Sequence, residues 1–281
     1  MRYFLFLALF LSSFLISAQD TRLANQYYNT GEYEKAAEIY KQLFEKSKSN
    51  SYYFNRYINS LLSLEMYKES EQAIRKQLKK QPNALHLHVT LGNMYDRIQD
   101  EGRAKAEFDN AITRLKGNRS TVTQLGNAFI SLAKYDYAIL AYEKGTRLLK
   151  KGESFAYNLG DLYRRSGNKE KMINYYLLSI AERPERMKTV QTIFQRNLDS
   201  EDHDILLKQL YANVQENPNV IEYTELLQWS FIQKKDYKRA LRQAKALDQR
   251  LAETGVRVYN LGQVASNAGD YPTAIDAFEY L

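Results

Sequence analysis

The chain has 281 residues, of which 44% are hydrophobic, so it is long enough to bury a sizeable core. It has no cysteine, which excludes disulfide bonds. Its 40 basic and 33 acidic residues give a net charge of +7, and no basic run is longer than pairs such as Arg164-Arg165, which argues against a nucleic-acid partner.

Residues 1–18 have the pattern of a secretory signal peptide. A positive start at Arg2 precedes an apolar run over residues 3–16, and the small residue Ala18 precedes a polar stretch. The run is shorter than the roughly 20 apolar residues of a membrane anchor, so we predict cleavage after Ala18 and export to the periplasm or outer envelope. An uncleaved anchor is the alternative. Removal of Arg2 lowers the net charge from +7 to +6.

The rest of the chain repeats one pattern every 34 residues, most completely over residues 85–118. There Leu91 and Tyr95 lie four residues apart on one face of a first helix, and Ala104 and Phe108 are spaced in the same way on a second. A polar turn that ends at a glycine is expected between them. The spacing therefore predicts a helical hairpin.

Glycine and proline mark fixed places in this pattern. Gly92 lies in the middle of the first helix, where it costs about 1 kcal/mol relative to alanine, so we expect the second helix to approach closely there. The same position holds Ala24, Gly126, Gly160 and Gly262 in other copies. A proline is expected to end the second helix at Pro82, Pro184 and Pro218.

A 34-residue helix pair with the order Leu-Gly, Tyr, Gly-Asp/Asn-Tyr, Ala, Tyr or Phe, Ala and Pro resembles the tetratricopeptide repeat, and residues 158–163 and 269–271 are almost identical to parts of the family consensus. The resemblance covers residues 19–281 in eight frames, which start near residues 17, 51, 85, 119, 153, 187, 221 and 255. It implies an all-α fold, a right-handed superhelical α-solenoid of about eight repeats with sixteen principal helices. The eighth frame is incomplete at Leu281, so we expect more chain to follow. The Ser-Ala-Gln end of the signal is similar to signals of Bacteroidota envelope proteins.

The sixth frame, which starts near residue 187, is degenerate. Phe194 stands where other frames have a small residue, Asn197 replaces the aromatic residue, and residues 199–202 form an acidic turn. We predict that the large Phe194 side chain separates or rotates the two helices and changes the local curvature. A domain boundary is the alternative, although the spacing continues unbroken through this frame.

No catalytic, cofactor or metal motif stands out in the sequence. His86 and His88 lie two residues apart on a helix and point in different directions, and His203 lies in a polar, acidic turn. The sequence has no phosphate-binding loop and no nucleophile elbow. We predict no enzyme activity, no cofactor and no metal ion.

The 23 tyrosines have mostly structural explanations, because many of them, including Tyr40 and Tyr271, occupy positions expected in the core of a repeat. Tyr157 and Tyr259 share a position on the first helix away from its packing face. They are candidates for surface contacts.

The residue directly after the small position is polar in most frames, and we call these positions the first-helix column. Its members are Asn25, Asn59, Asn93, Asn127, Asp161, Gln195, Trp229 and Gln263. In tetratricopeptide proteins the first helices line the concave face, so the resemblance implies a ladder of amides similar to the asparagine ladders that hold extended peptides in long superhelices of this family. Amides donate and accept hydrogen bonds at once, as a peptide backbone requires. Inheritance of the family consensus Leu-Gly-Asn is the alternative explanation.

Basic and aromatic side chains lie close to the column in sequence. The candidates are Arg97, Arg164, Arg165 and Tyr157. Some family members bind a terminal carboxylate with a clamp of Lys, Arg and Asn. The lysine expected early in the first helix is replaced here by Thr21, Asn55 and Val89. We therefore predict a diffuse groove of basic and amide groups rather than a clamp.

These features favour a non-enzymatic scaffold in the bacterial cell envelope that holds partner proteins or extended peptide segments, without nucleic acid. The alternative is an exported sensory domain of a membrane-bound signalling protein, such as a histidine kinase, with a membrane-spanning helix after residue 281. A repeat array that delivers substrate to a downstream enzyme is a third possibility. The mature protein is expected to be soluble unless a membrane segment follows.

Overall fold

The computed structural model describes residues 19–48, 50–149 and 154–281, so the predicted signal peptide, residues 1–18, lies outside the described residues. The described residues form sixteen α-helices and no strand, which confirms the predicted all-α fold and its helix number. None of these helices has both the length and the apolar character needed to cross a membrane. The described residues divide into two compact units, with the boundary between Ala141 and Tyr142.

The helices of the first unit are short and of similar length. They are α1 (19–29), α2 (Tyr33–Lys46), α3 (Ser51–Ser63), α4 (Tyr67–Lys80), α5 (Leu85–Arg97), α6 (Glu101–Thr113) and α7 (Arg119–Ser131), followed by α8 (Tyr135–Leu148), whose residues belong partly to each unit.

The second unit continues the alternation of first and second helices. It contains α9 (Ala156–Arg165), α10 (Lys169–Glu182), a 3-10 turn (Pro184–Arg186), α11 (Met187–Asn197), α12 (Ser200–Glu216), α13 (Ile221–Gln233), α14 (Tyr237–Leu251), α15 (Val256–Asn267) and α16 (Tyr271–Phe278).

In seven of the eight described helix pairs the turn contains one residue with a left-handed backbone, and this residue recurs with the period of the sequence. These residues are Gly31, Glu65, Gln99, Ala133, Gly167, Lys235 and Gly269, with φ between 55° and 83°. The left-handed residue of the third pair is therefore Gln99, whereas Gly102, expected to end that turn, lies inside α6. The left-handed residue lies two positions before the start of the second helix, so the prediction that the turn ends at Gly102 is wrong.

The glycines of the first helices mark close approaches of the second helices, as predicted. A Cβ atom added to Gly92 would lie 2.3 Å from Cε1 of Phe108, and one added to Gly160 would lie 3.0 Å from Cδ1 of Tyr176. Both rings are buried. A side chain at Gly92 would therefore separate α5 from α6, which explains the glycine in the middle of a helix.

The prolines act as helix stops in the way that the sequence predicts. Helices α4, α10 and α12 each end two residues before a proline. The backbone N–H of the residue between helix and proline still donates to the last turn, as Gln81 does to Gln77 O at 2.9 Å. The proline ring then prevents the helix from continuing.

The degenerate sixth pair is built differently from the others. Phe194 is fully buried, and α11 and α12 pack more closely against α10 and α13 than against each other. This agrees with the separation predicted for a large side chain at the crossing. Asp199 replaces the left-handed turn residue as the N-cap of α12, because its side chain accepts from the backbone N–H groups of Glu201 and Asp202 at 3.0 and 2.9 Å.

The tyrosines at the helix crossings are buried, as expected for core residues. Tyr40 and Tyr176 have no exposed surface. Tyr271 is an exception to the prediction, because 64% of its surface is exposed. It is the first residue of α16.

Candidate functional site

The first residue of the first-helix column, Asn25, already makes hydrogen bonds within the protein. The side-chain oxygen of Asn25 accepts hydrogen bonds from the hydroxyls of Tyr40 at 2.8 Å and Tyr52 at 2.6 Å. Burial, together with the neighbouring Tyr52, raises the pKa of the Tyr40 hydroxyl well above its usual value. Asn25 therefore satisfies the buried Tyr40 hydroxyl and links α1 to α2, and through the exposed Tyr52 to α3.

The residue fifteen positions later supplies one of the two internal partners of Asn25. Tyr40 follows Asn25 at this distance, but Ile74 follows Asn59 and Phe108 follows Asn93. Ile74 and Phe108 have no hydroxyl to donate. In the part of the chain that the structure describes, neither Asn59 nor Asn93 makes a side-chain hydrogen bond. Both amides retain their full capacity to bind another molecule.

The other column residues are engaged to different degrees. Asn59 is exposed and Asn93 is half-buried, so water reaches both amides. Asn127 is also exposed, but it already has an interaction partner. The asparagines of the predicted ladder are therefore not equivalent. The neighbouring positions Asn59 and Asn93 have side-chain amides without a hydrogen-bond partner among the described residues.

Arg97 lies next to these two rungs. Its Nη1 atom donates to the carbonyl oxygen of Leu62 at 3.4 Å, so the guanidinium reaches across to α3, three residues beyond Asn59. The adjacent Asp96 pairs with Lys134, whose Nζ lies 2.5 Å from its carboxylate. Asp96 is thus paired with Lys134, and the Arg97 guanidinium beside the free amides has no carboxylate partner among the described residues.

The sequence analysis named Asn55 only as a residue that replaces the lysine of a carboxylate clamp. Asn55 is exposed, precedes Asn59 by one helical turn on α3, and makes no side-chain hydrogen bond to another described residue. The i, i+4 spacing of two asparagines is the signal that could have revealed it. Asn55, Asn59, Asn93 and Arg97 together are called the amide site below.

In the second unit the predicted site residues form a closed ion cluster. Arg164 donates to Oδ1 of Asp161 from Nη2 at 2.6 Å, and Arg165 donates to Oδ2 from Nε at 2.8 Å. Burial opposes the ionisation of Asp161, but the hydrogen bonds from Arg164 and Arg165 outweigh it and hold the pKa of this carboxyl below its usual value. The structure thus brings these three residues together with their charges directed at one another.

Tyr157 belongs to an aromatic stack beside this cluster. Its ring centroid lies 5.5 Å from that of Tyr176 in an edge-on arrangement, and the guanidinium of Arg186 lies 5.0 Å from its centroid. The Tyr176 hydroxyl is buried and finds no hydrogen-bond partner in the described part of the chain. Tyr157 therefore covers Tyr176 and is half-buried.

The histidine beside α6 has a structural environment. His88 is buried, its Nδ1 lies 2.7 Å from Oε2 of Glu107, and its Nε2 lies 3.1 Å from Nη1 of Arg114. The other Arg114 nitrogen, Nη2, donates to the carbonyl of Pro82 at 2.7 Å. This network ties the start of α5 to α6. Among the described residues, no group of three or more His, Asp or Glu side chains could hold a metal ion.

Comparison with known proteins shows which repeat family this geometry is similar to. Residues 154–186 match the family model described as tetratricopeptide repeat. The "TPR repeat-containing protein MJ1428" of Methanocaldococcus jannaschii is 24% identical over 162 residues, which cover 57% of this chain and 28% of that protein. The chain therefore spans less than a third of the length of this relative.

Two solved structures of repeat proteins are similar to parts of the chain. TTC0263, a thermophilic TPR protein of Thermus thermophilus, is 17% identical with a TM-score of 0.34, and the match covers 61% of this chain and 94% of that one. YrrB, described as a TPR protein with an unusual peptide-binding site, is 22% identical with a TM-score of 0.29, and the match covers 61% and 88%. The family model thus matches one tetratricopeptide repeat at residues 154–186, and the described helix pairs on either side of it follow the same alternation of first and second helices.

Proposed function

We propose that the protein is a non-enzymatic scaffold of the bacterial cell envelope that holds an extended segment of a partner protein against the amide site. The tetratricopeptide repeat fold suggests protein–protein interaction. The observation that carries the proposal is that the side-chain amides of Asn59 and Asn93 make no internal hydrogen bond. In the first repeat the Tyr40 hydroxyl donates to Asn25, whereas Ile74 and Phe108 stand at the position of Tyr40 in the next two repeats.

An extended peptide is the partner that suits these groups best. Each peptide unit offers one N–H donor and one C=O acceptor, and a side-chain amide complements both at once. Asn59 and Asn93 stand at equivalent positions of neighbouring repeats, so they would bind successive stretches of one chain. Asparagine in a helix costs on the order of 0.5 kcal/mol relative to alanine, and binding would offset this cost. Arg97 adds a positive charge for a carboxylate of the partner.

The location in the envelope rests on the signal-like residues 1–18. Fractionation of cells that express the full-length gene with a C-terminal epitope tests it. Release of the mature protein by osmotic shock supports a soluble scaffold. Retention in the membrane, resistant to salt and carbonate washes, would favour the sensory alternative instead.

The binding test uses the mature protein as bait for envelope extract, followed by titration of the captured segment as a synthetic peptide. A double variant, Asn59→Ala with Asn93→Ala, should bind roughly tenfold more weakly or worse, since each hydrogen bond contributes about 0.5 to 1.5 kcal/mol. Asn174→Ala is the matched control, because Asn174 is an exposed amide on the second helix α10. Equal affinity of the double variant and the wild type would refute the amide site as the binding surface.

A further inference from the structure

A second surface of the first unit has the features of a binding cleft, and it shares no residue with the amide site. It is a depression of about 570 Å³ between the second helices α2 and α4, with α3 at its base. Its volume falls in the range of about 300 to 1,000 Å³ that is typical of ligand-binding clefts. We call it the lysine groove.

The floor of the lysine groove is apolar and recessed. Phe44 and Phe54 are in ring contact with a centroid distance of 5.0 Å, and Phe54 is buried while Phe44, Tyr57 and Ala73 are half-buried. Ala73 is the small residue of α4 that leaves room above this floor. The Tyr57 hydroxyl makes no hydrogen bond to another described residue. The floor can therefore take apolar side chains and one polar contact.

The rim of the groove is cationic. It consists of the exposed side chains Lys41, Lys48, Lys76 and Lys80, with Glu45 and Glu69 as the acidic members. None of these six groups has an ion-pair partner among the described residues. Other lysines of the same unit do, since the Nζ of Lys35 lies 2.6 Å from a carboxylate oxygen of Glu32. The groove therefore carries two unpaired positive charges in excess.

Unpaired charges of one sign around an apolar floor attract an oppositely charged partner and discriminate against others. We propose that the lysine groove binds a short acidic segment of a partner protein whose large apolar side chains enter the cleft while its carboxylates pair with the rim. A membrane surface does not fit, because the aromatic residues Phe44 and Tyr57 are half-buried while the rim lysines are exposed. The lysines are arranged along both walls, so the segment would lie lengthwise between α2 and α4.

The test uses the mature protein and a fluorescein-labelled synthetic peptide of about 12 residues, in which Leu and Phe at helical spacing are separated by Glu and Asp. A second peptide has Gln and Asn in place of every acidic residue. Fluorescence anisotropy should show saturable binding of the acidic peptide and at least tenfold weaker binding of the neutral one. Raising the salt concentration from about 0.05 M to about 0.5 M should weaken the acidic complex, because the rim is exposed.

Two protein variants locate the site. The first combines Lys41→Gln, Lys48→Gln, Lys76→Gln and Lys80→Gln. The second, a control with the same change in net charge, combines Lys68→Gln, Lys79→Gln, Lys208→Gln and Lys238→Gln at exposed positions outside the groove. The first should bind the acidic peptide at least tenfold more weakly, and the second should bind it within twofold of the wild type.

A third variant, Ala73→Glu, places a carboxylate on the floor and should abolish binding while it keeps the helical circular dichroism. Any of three results would overturn the proposal: no saturable binding of the acidic peptide, an equal loss in the two lysine variants, or unchanged binding by Ala73→Glu. Binding of anionic phospholipid vesicles that depends on the four rim lysines would also contradict it, and would assign the surface to lipid.

Discussion

Replacement of Gly92 by alanine should destabilise the first unit, although alanine is the better helix former. The new Cβ atom would lie 2.3 Å from Cε1 and 2.6 Å from Cδ1 of Phe108. The ring has no room to retreat, because Phe108 is 2% exposed and lies 5.6 and 5.2 Å from the rings of Phe129 and Tyr137. Overpacking costs about 1 to 3 kcal/mol, whereas the gain in helix propensity is about 1 kcal/mol. We therefore expect a net loss of up to about 2 kcal/mol.

Two other glycines provide the controls. At Gly160 the nearest atom to a new Cβ, Cδ1 of Tyr176, is 3.0 Å away, so the contact cost and the propensity gain should nearly cancel. At Gly102 the nearest atom is Oδ1 of Asp100 at 3.8 Å, so alanine there should stabilise α6 by up to about 1 kcal/mol. Urea unfolding followed by circular dichroism should rank the midpoints Gly102→Ala above Gly160→Ala above Gly92→Ala. If Gly92→Ala is as stable as Gly102→Ala, the close approach does not explain the glycine.

Four further outcomes are expected. Glu65→Gly should raise the unfolding midpoint by relieving about 1 kcal/mol of left-handed strain, since Glu65 has a φ of 58°; an unchanged midpoint would refute this. Met66→Asp should stabilise α4 by about 1 kcal/mol, because Met66 is an N-cap without a side-chain hydrogen bond, and loss of stability would contradict it. Asn25→Ala should cost about 1 to 3 kcal/mol by leaving the Tyr40 hydroxyl unsatisfied, and addition of Tyr40→Phe should restore part of the loss; no restoration would show that Asn25 acts otherwise. Because the pKa of Asp161 is lower in the folded state, its ionised carboxylate stabilises the fold above about pH 4, and this contribution is lost as the pH falls further. Asp161→Asn should therefore reduce the dependence of the unfolding free energy on pH below about pH 4.

The period of the sequence predicted much of the fold, because one helical pair determines the places of the others. The close approach at Gly92 and the helix stop before Pro82 followed from the chemistry of single residues. The left-handed turn residue could not be predicted in this way, since Glu65 and Gln99 stand at that position and a glycine would have been the signal for it. Tertiary packing of the helix pair holds these residues in that conformation against their preference.

The candidate site was predicted in position but only partly in detail. The column was visible at a spacing of 34 residues, but the free amides depend on the residue fifteen positions later, in another helix, as Asn25 and Asn59 illustrate. The closure of Arg164 and Arg165 on Asp161 was readable in principle, because ion pairs form at spacings of three and four residues on a helix. The lysine groove depends on two helices one period apart, so no single stretch of sequence indicates it.

The most direct test of the central claim observes the side-chain amides themselves. In ¹⁵N-labelled protein, the NH₂ signals of Asn59 and Asn93 can be assigned by their disappearance in the single alanine variants, and those of Asn25 and Asn174 in the same way. Titration with the captured partner segment should shift the signals of Asn59 and Asn93 in a saturable manner and leave the Asn174 signal in place. Unshifted Asn59 and Asn93 signals at saturation of the complex would contradict the account.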